Sequence, residues 1–271
     1  HRDLHSFPTR RSSDLLLLSE MGIDHDRVHC LTGWDHPDTV RHVEGHLTER
    51  LGPITVLRPP LLMADLCRKK GMFPSGGGRR FCTEELKVKP IARHLKSYLD
   101  AEPLNAVGVR AAESSERAQL PEWEWFDAGE CEVWRPLLRW SEAEVIEMHQ
   151  RHDVLPCPLY LRGAERVGCW PCIFANKAQI RMLDEARISE IRDLEREIGD
   201  AAQARNPQNA RPTFFRALGV LRSESTAHQV PIDEVVEWAR TSRGGKQFEM
   251  FAAAGRDAGC MRWGLCELVT D

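Results

Sequence analysis

The chain has 271 residues, 42% of them hydrophobic, and its 37 basic and 41 acidic side chains give a net charge of −4. That is enough apolar material for one large domain or two modest ones, and the charge excludes a general attraction to nucleic acid or an anionic membrane. No apolar run approaches the roughly 20 residues that cross a bilayer, and nine cysteines without a secretory leader read as reduced cytoplasmic thiols, not as a disulfide framework.

The opening "HRDLHSFPTRRSSDL" has no hydrophobic period and resembles translated adapter sequence, so residues 1–14 are set aside as a non-native segment. From Leu15 a helix remnant runs to Gly22, followed by a short strand at Arg27–Leu31 and the turn "TGWDHPD". Val40, Val43, Leu47 and Leu51 share one helical face, with Asp38 as the expected cap. "ITVLRP" is a β-branched strand stopped by prolines, and "PSGGGRR" reads as a flexible surface loop without the lysine-serine ending of a phosphate loop. "TEELKVKPIARHLKSYL" has a helical pattern that Pro90 is expected to divide or kink. "LNAVGVR" is a further strand, Ser141 and Glu144 form a capping box, and the charged helix from Gln179 to Arg205 reads as a solvated face. Strands alternating with helices predict an α/β fold, a parallel-sheet three-layer sandwich over 15–175 with ligands at the strand carboxyl ends. Residues 176–271 are expected to form a helical C-terminal extension packed on it.

Three groups of residues carry chemistry. Cys169 and Cys172 in "GCWPC" have the spacing of a metal clamp, with Cys82, Cys157, Cys260 and Cys266 as further thiols. Arg79, Arg80 and Lys87 surround Cys82 with positive charge, which lowers a thiol's pKa. Arg110 and Arg117 bracket "AAESSE" at a strand end, where guanidinium groups bind phosphate or sulfate oxygens and Glu113 and Ser114 contact a nucleoside or orient the arginines. His25, His29, His36, His42 and His46 do not fall on one face as a ligand set and read as solvated or locally satisfied. Trp34 and Trp134 stand open between core packing and stacking on a base, whereas Trp140 reads as core.

Taken together, "TGWDHPDT", "RRFCTEELKVKPI", "VGVRAAESSERA", "WRPLLRWSEAEVIEM" and "PLYLRGAERVGCWPC" resemble, in order and spacing, the phosphoadenosine phosphosulfate (PAPS) reductase family of the adenine nucleotide alpha hydrolase-like superfamily. The resemblance covers most of residues 15–175. It implies a nucleotide site including Gly33, Lys87, Gly108, Arg110, Glu113, Ser114 and Arg117, and a catalytic thiol at Cys82 or Cys266. It also implies a 4Fe-4S cluster on Cys82, Cys157, Cys169 and Cys172, with a zinc site on Cys169, Cys172, Cys260 and Cys266 as the alternative. The family's Ser-Gly-Gly-x-Asp-Ser loop would stand where the set-aside segment lies, and Leu31 replaces the family's aspartate before Thr-Gly. Three functions stay open: reduction of a sulfonucleotide such as PAPS with thioredoxin as reductant, ATP-dependent sulfur transfer to a DNA or tRNA acceptor, and a metal-stabilised binding protein without turnover.

Overall fold

The computed structural model describes residues 12–75, 79–98, 100, 102–216, 229–241 and 257–265. Helix α1 (Ser12–Glu20) begins inside the segment set aside above, and its Ser12, Ser13 and Asp14 are buried. Strand β1 (Val28–Cys30) leads through the Thr32–Asp35 turn into one helix from 37 to 51, made of α2 (Pro37–Arg41), a widened π turn (His42–Leu47) and α3 (Thr48–Leu51). Val43 and Leu47 are buried on the expected face, but the cap is His36, whose Nδ1 accepts from the Asp38 N–H at 3.0 Å, with Pro37 pre-set at the first helical position. Strand β2 (Thr55–Leu57) pairs parallel to β1, Val28 opposite Thr55. Helix α4 (Met63–Lys70) ends at Gly71, whose left-handed φ of 64° suits glycine.

The helix expected around Pro90 runs from 81 to 96 as α5 (Phe81–Thr83), a second π turn (Glu84–Val88) and α6 (Lys89–Lys96). Pro90 sits in the first turn of α6, and the widened turn ahead of it accommodates the ring without ending the helix. Strands β3 (Leu104–Ala106), β4 (Trp123–Phe126) and β5 (Cys131–Trp134) form a sheet in the order β3-β5-β4, with β3 parallel and β4 antiparallel to β5. The expected parallel pairing is therefore present in two short sheets. Helix α7 (Glu142–Arg151) has the predicted capping box, Ser141 Oγ accepting from the Glu144 N–H at 3.3 Å and the Glu144 carboxylate from the Ser141 N–H at 2.7 Å. It lies against α1, where Ser12 Oγ hydrogen-bonds His149 Nε2 at 2.9 Å.

The rest is mainly helical: α8 (Pro158–Leu161), α9 (Lys177–Arg181), α10 (Glu185–Arg205), a small antiparallel pair of β6 (Phe215–Arg216) and β7 (Gln229–Val230), then α11 (Ile232–Arg240) and α12 (Asp257–Trp263). The reading of residues 179–205 as a solvated face is corrected: α10 buries Ile188, Ile191, Leu194 and Ile198 in the largest core cluster, beside Trp34, Leu66 and Phe214, and Ala202 is buried as well. Its charged residues hide a helical stripe of isoleucine and leucine. Glu195 on that stripe accepts from the N–H groups of Phe214 at 2.8 Å and Ile232 at 3.0 Å, tying the C-terminal segments to the body of the protein. His29 and His42 are likewise buried, not solvated. Among the described residues no helix is long and apolar enough to cross a membrane.

Candidate functional site: a cysteine pocket beside an arginine cleft

The Thr32–Asp35 turn and the "GCWPC" loop are built into one another. Asp35 Oδ2 accepts from the Thr32 N–H at 3.1 Å and from its hydroxyl at 2.7 Å, and Thr32 Oγ1 accepts from the Trp34 N–H at 3.1 Å. Gly33 takes a left-handed φ of 66°, and a Cβ there would lie 2.7 Å from Leu62 Cβ, so both the turn and the packing call for glycine. Trp34 is fully buried, stacks on Phe214 with centroids 5.6 Å apart, and donates from its indole N–H to the Pro171 carbonyl at 3.1 Å. The Trp170 N–H returns a bond to the Trp34 carbonyl at 2.6 Å, and Asp35 pairs with Cys169 in an isolated β-bridge. Trp34 is thus a packing and hydrogen-bonding anchor for the cysteine loop, with no face left for a base.

Cys82, Cys169 and Cys172 are partly exposed and near enough to influence one another's ionisation. Lys87 is buried in the π turn and its Nζ approaches Cys169 Sγ at 3.9 Å. The expectation of a lowered Cys82 pKa is not met. Burial raises it, the Cys172 side chain pushes the same way, and Lys87 and Arg80 only partly offset them. Burial likewise pushes the Cys169 thiol up to about 12 against the pull of Lys87. Cys67, fully buried and absent from the sequence reading, lies close enough to Cys82 to be affected by its charge, and burial raises its thiol to about 12 as well. Its only sequence signal was one apolar position of α4.

Cys157 does not join this group: it packs with Leu159, Tyr160 and Trp263 in a different core cluster, 3.8 Å from the Thr39 hydroxyl. Cys260 is disulfide-bonded, and Cys266 lies outside the described residues. Among the described residues no group of three or more histidine, cysteine, aspartate or glutamate side chains is placed to hold a metal ion. The four-thiolate set expected from the sequence is not assembled, because Cys157 lies apart from Cys82, Cys169 and Cys172, whereas the buried Cys67 is the further thiol beside Cys82.

The second half of the site lies beyond β3. Gly108, Arg110, Glu113, Ser114 and Arg117 come together there, whereas Gly33 and Lys87 belong to the cysteine pocket. Arg117 forms an ion pair with Glu113, Arg110 Nε lies 4.0 Å from the same carboxylate, and Ser114 Oγ accepts from the Arg117 N–H at 3.2 Å. Arg110 also donates to the Trp140 carbonyl at 3.2 Å. Glu113 therefore pre-positions both guanidinium groups. A Cβ on Gly108 would stand 2.6 Å from Asp14 Oδ2, showing how closely the start of α1 approaches this loop. Gly108, Glu113 and Arg117 line one side of a cleft of about 320 Å³, and Glu165, Arg166, Phe174, Asn176 and Gln179 line the other. Sequence reasoning missed this second wall. Phe174 is 50% exposed with the Arg80 guanidinium 5.1 Å from its ring centre, and its place two residues after Cys172 was the available signal.

A phosphoadenosine phosphosulfate reductase domain model matches residues 6–175, more than half of the chain. The chain belongs to this family. With it comes membership of the adenine nucleotide alpha hydrolase-like superfamily and its α/β fold. The match begins within residues 1–14. A 37.8 kDa protein of Escherichia phage 186 is 35% identical over 236 residues, which cover 79% of this chain and 67% of the phage protein. The adenosine 5'-phosphosulfate reductase of Allochromatium vinosum is 36% identical over 102 residues, 38% of each chain, and that of Streptomyces coelicolor 28% identical over 148 residues, 54% of this chain and 61% of the reductase. A crystal structure of PAPS reductase from Candida auris in a phosphate complex superposes with a TM-score of 0.44 at 19% identity, covering 58% of this chain and 76% of that one.

Proposed function

We propose that the protein reduces the sulfate of an adenine nucleotide phosphosulfate, with the nucleotide anions in the arginine cleft and the sulfur presented to the cysteine pocket. One observation carries this reading: the segment 165–179 forms a wall of the cleft with Glu165, Arg166, Phe174, Asn176 and Gln179, and the same segment carries Cys169 and Cys172. In this reading an anion held by Arg117 faces the segment that carries the two thiols.

In the proposed step the Cys82 thiolate attacks the sulfate sulfur, the sulfur–oxygen bond to phosphate breaks, and the nucleotide leaves with that oxygen and the bonding pair. Arg117, which lines the cleft, stabilises the charge on the departing phosphate, with the buried Arg110 beside the same Glu113 carboxylate behind it. A second thiol, Cys172 or one supplied by a thioredoxin-type reductant, attacks the sulfur of Cys82, forming a disulfide and releasing sulfite. Two thiols are oxidised as one sulfate is reduced. Lys87 favours the thiolate forms of Cys82 and Cys169 against burial.

The test is product analysis with adenosine phosphosulfate, PAPS and ATP in the presence of a dithiol. Sulfite release from either sulfonucleotide, lost in Cys82→Ser and with a raised KM in Arg117→Ala, is the expected result. Sulfite release that survives in Cys82→Ser and is lost in Cys266→Ser would move the nucleophile to Cys266. Pyrophosphate release from ATP without sulfite would replace the reading with ATP-dependent sulfur transfer, and no binding of any of the three nucleotides would leave a binding protein.

A further inference from the structure

The outward face of the three-stranded sheet carries large side chains with no covering element among the described residues. Trp123 and Trp125 on β4 are 48% and 59% exposed, and Leu104 on β3 is 47% exposed. The register sets them on one face: Trp123 stands opposite Trp134, while Glu132 lies between Trp125 and Leu104. Phe126, Val133 and Cys131 on the other face pack into a buried cluster. Isolated exposed apolar residues need no explanation, but a contiguous aromatic sheet face does.

The backbone beside that face is also unused. β4 is the last strand in the order β3-β5-β4. The bond from the Arg135 N–H to the Glu122 carbonyl, 2.9 Å, makes 122/135, 124/133 and 126/131 the bonded pairs of the antiparallel ladder. The N–H and C=O groups of Trp123 and Trp125 therefore point away from the sheet, and no hydrogen bond is recorded for them among the described residues. The non-bonded pairing also explains why Trp123 and Trp134 stack, with centroids 5.5 Å apart.

The charge on this surface is negative. Glu132 sits in the middle of the aromatic face with no ion-pair partner among the described residues, and the Glu122 carboxylate at its end accepts from the Trp134 indole at 3.3 Å. Lys96 and Arg135, the nearby cations, are each held by a carboxylate, Glu130 and Glu124, at 2.5 Å. A second copy of the chain would bring like charges together, whereas a cationic side chain would find an aromatic ring and a carboxylate at once.

We propose that β4 and the Trp123–Trp125 face dock an extended arginine- or lysine-bearing segment of a partner protein, which adds as a strand and lays its cations on the tryptophans beside Glu132. Strand addition satisfies the outward backbone groups, and alternate cationic side chains supply selectivity. The proposal is independent of the reductase reading.

The probe is a labelled peptide of alternating arginine and valine, followed by fluorescence anisotropy against the full chain, with an alternating glutamate and valine peptide as the control. Saturable binding that weakens with salt, and is at least about tenfold tighter than the control, is expected. Trp125→Ala and Glu132→Lys, both at exposed positions, should each weaken it at least about fivefold while leaving the unfolding transition in place. Backbone N-methylation of the peptide should abolish binding. Equal affinity for both peptides, indifference to both substitutions, tolerance of N-methylation, or no binding would each overturn the proposal. So would sedimentation showing a dimer that Trp125→Ala dissociates, which would assign the face to a second copy.

Discussion

The cysteine pocket and the arginine cleft share the segment 165–179 yet are held in opposite ways. The pocket is fixed by apolar burial and main-chain hydrogen bonds around Trp34, and its low-polarity surroundings raise Cys82 and Cys169 above the ordinary thiol range. The cleft is fixed by charge: two arginines share one glutamate at a strand end, and its far wall is largely solvent-facing polar residues with one half-exposed phenylalanine. The contrast teaches that the two halves should fail differently. The pocket loses geometry when packing is lost, and the cleft loses affinity when charge is lost.

Trp34→Ala should break the comparison most severely, because it removes a fully buried ring, its stack on Phe214 and the bond to Pro171. A loss of about 3–5 kcal/mol is expected in urea denaturation, with faster alkylation of Cys169 and Cys172. Arg117→Ala removes the cation paired with the largely covered Glu113 carboxylate. It should cost about 3 kcal/mol and weaken nucleotide binding measured by calorimetry, while alkylation rates in the pocket stay unchanged. Equal effects of the two substitutions on both readouts would remove the distinction.

Acid should act on the cleft side. His149 bonds Ser12 of α1, whose Asp14 abuts Gly108, and burial lowers the pKa of His149 to about 4 and that of His42 to about 3. A histidine depressed in the folded state supports folding above its ordinary value near 6.5, and that support is lost as pH falls toward the depressed value. Stability measured against pH should therefore fall below pH 6.5, by up to about 1.4 kcal/mol per pH unit for each histidine, and His42→Phe should flatten the slope. Lys87→Gln should act only on the pocket, moving the alkylation profiles of Cys82 and Cys169 to higher pH. Phe174→Ala should be the mildest change, within about 0.5 kcal/mol in stability, with its effect confined to nucleotide affinity.

Much of this organisation was legible in local sequence. The Ser141–Glu144 capping box, the 37–51 helix and the strand at 104–106 follow from spacing and propensity, which are local rules. The grouping of Gly108, Arg110, Glu113, Ser114 and Arg117 was legible because all five lie on one short loop. Cys67, Glu165, Phe174 and the other cleft residues were not, since each reaches the site by tertiary packing. Cys157 misled for the same reason: twelve residues before Cys169 by the numbering, it turns into a separate cluster with Tyr160 and Trp263. The sign of the Cys82 shift failed because neighbouring charge is visible in sequence while burial, the larger effect here, is not.

The sequence by itself determined the family, the strands at 28–30, 55–57 and 104–106 with the helices around them, and the residue types available for anion and thiol chemistry, because motifs and periodicity are properties of neighbours along the chain. Only the tertiary structure decided which thiols meet, that Glu113 holds both arginines, that Trp34 is an anchor, and that Trp123 and Trp125 face outward. Those outcomes depend on burial and on contacts between segments far apart in the chain, where desolvation and packing outweigh local preference.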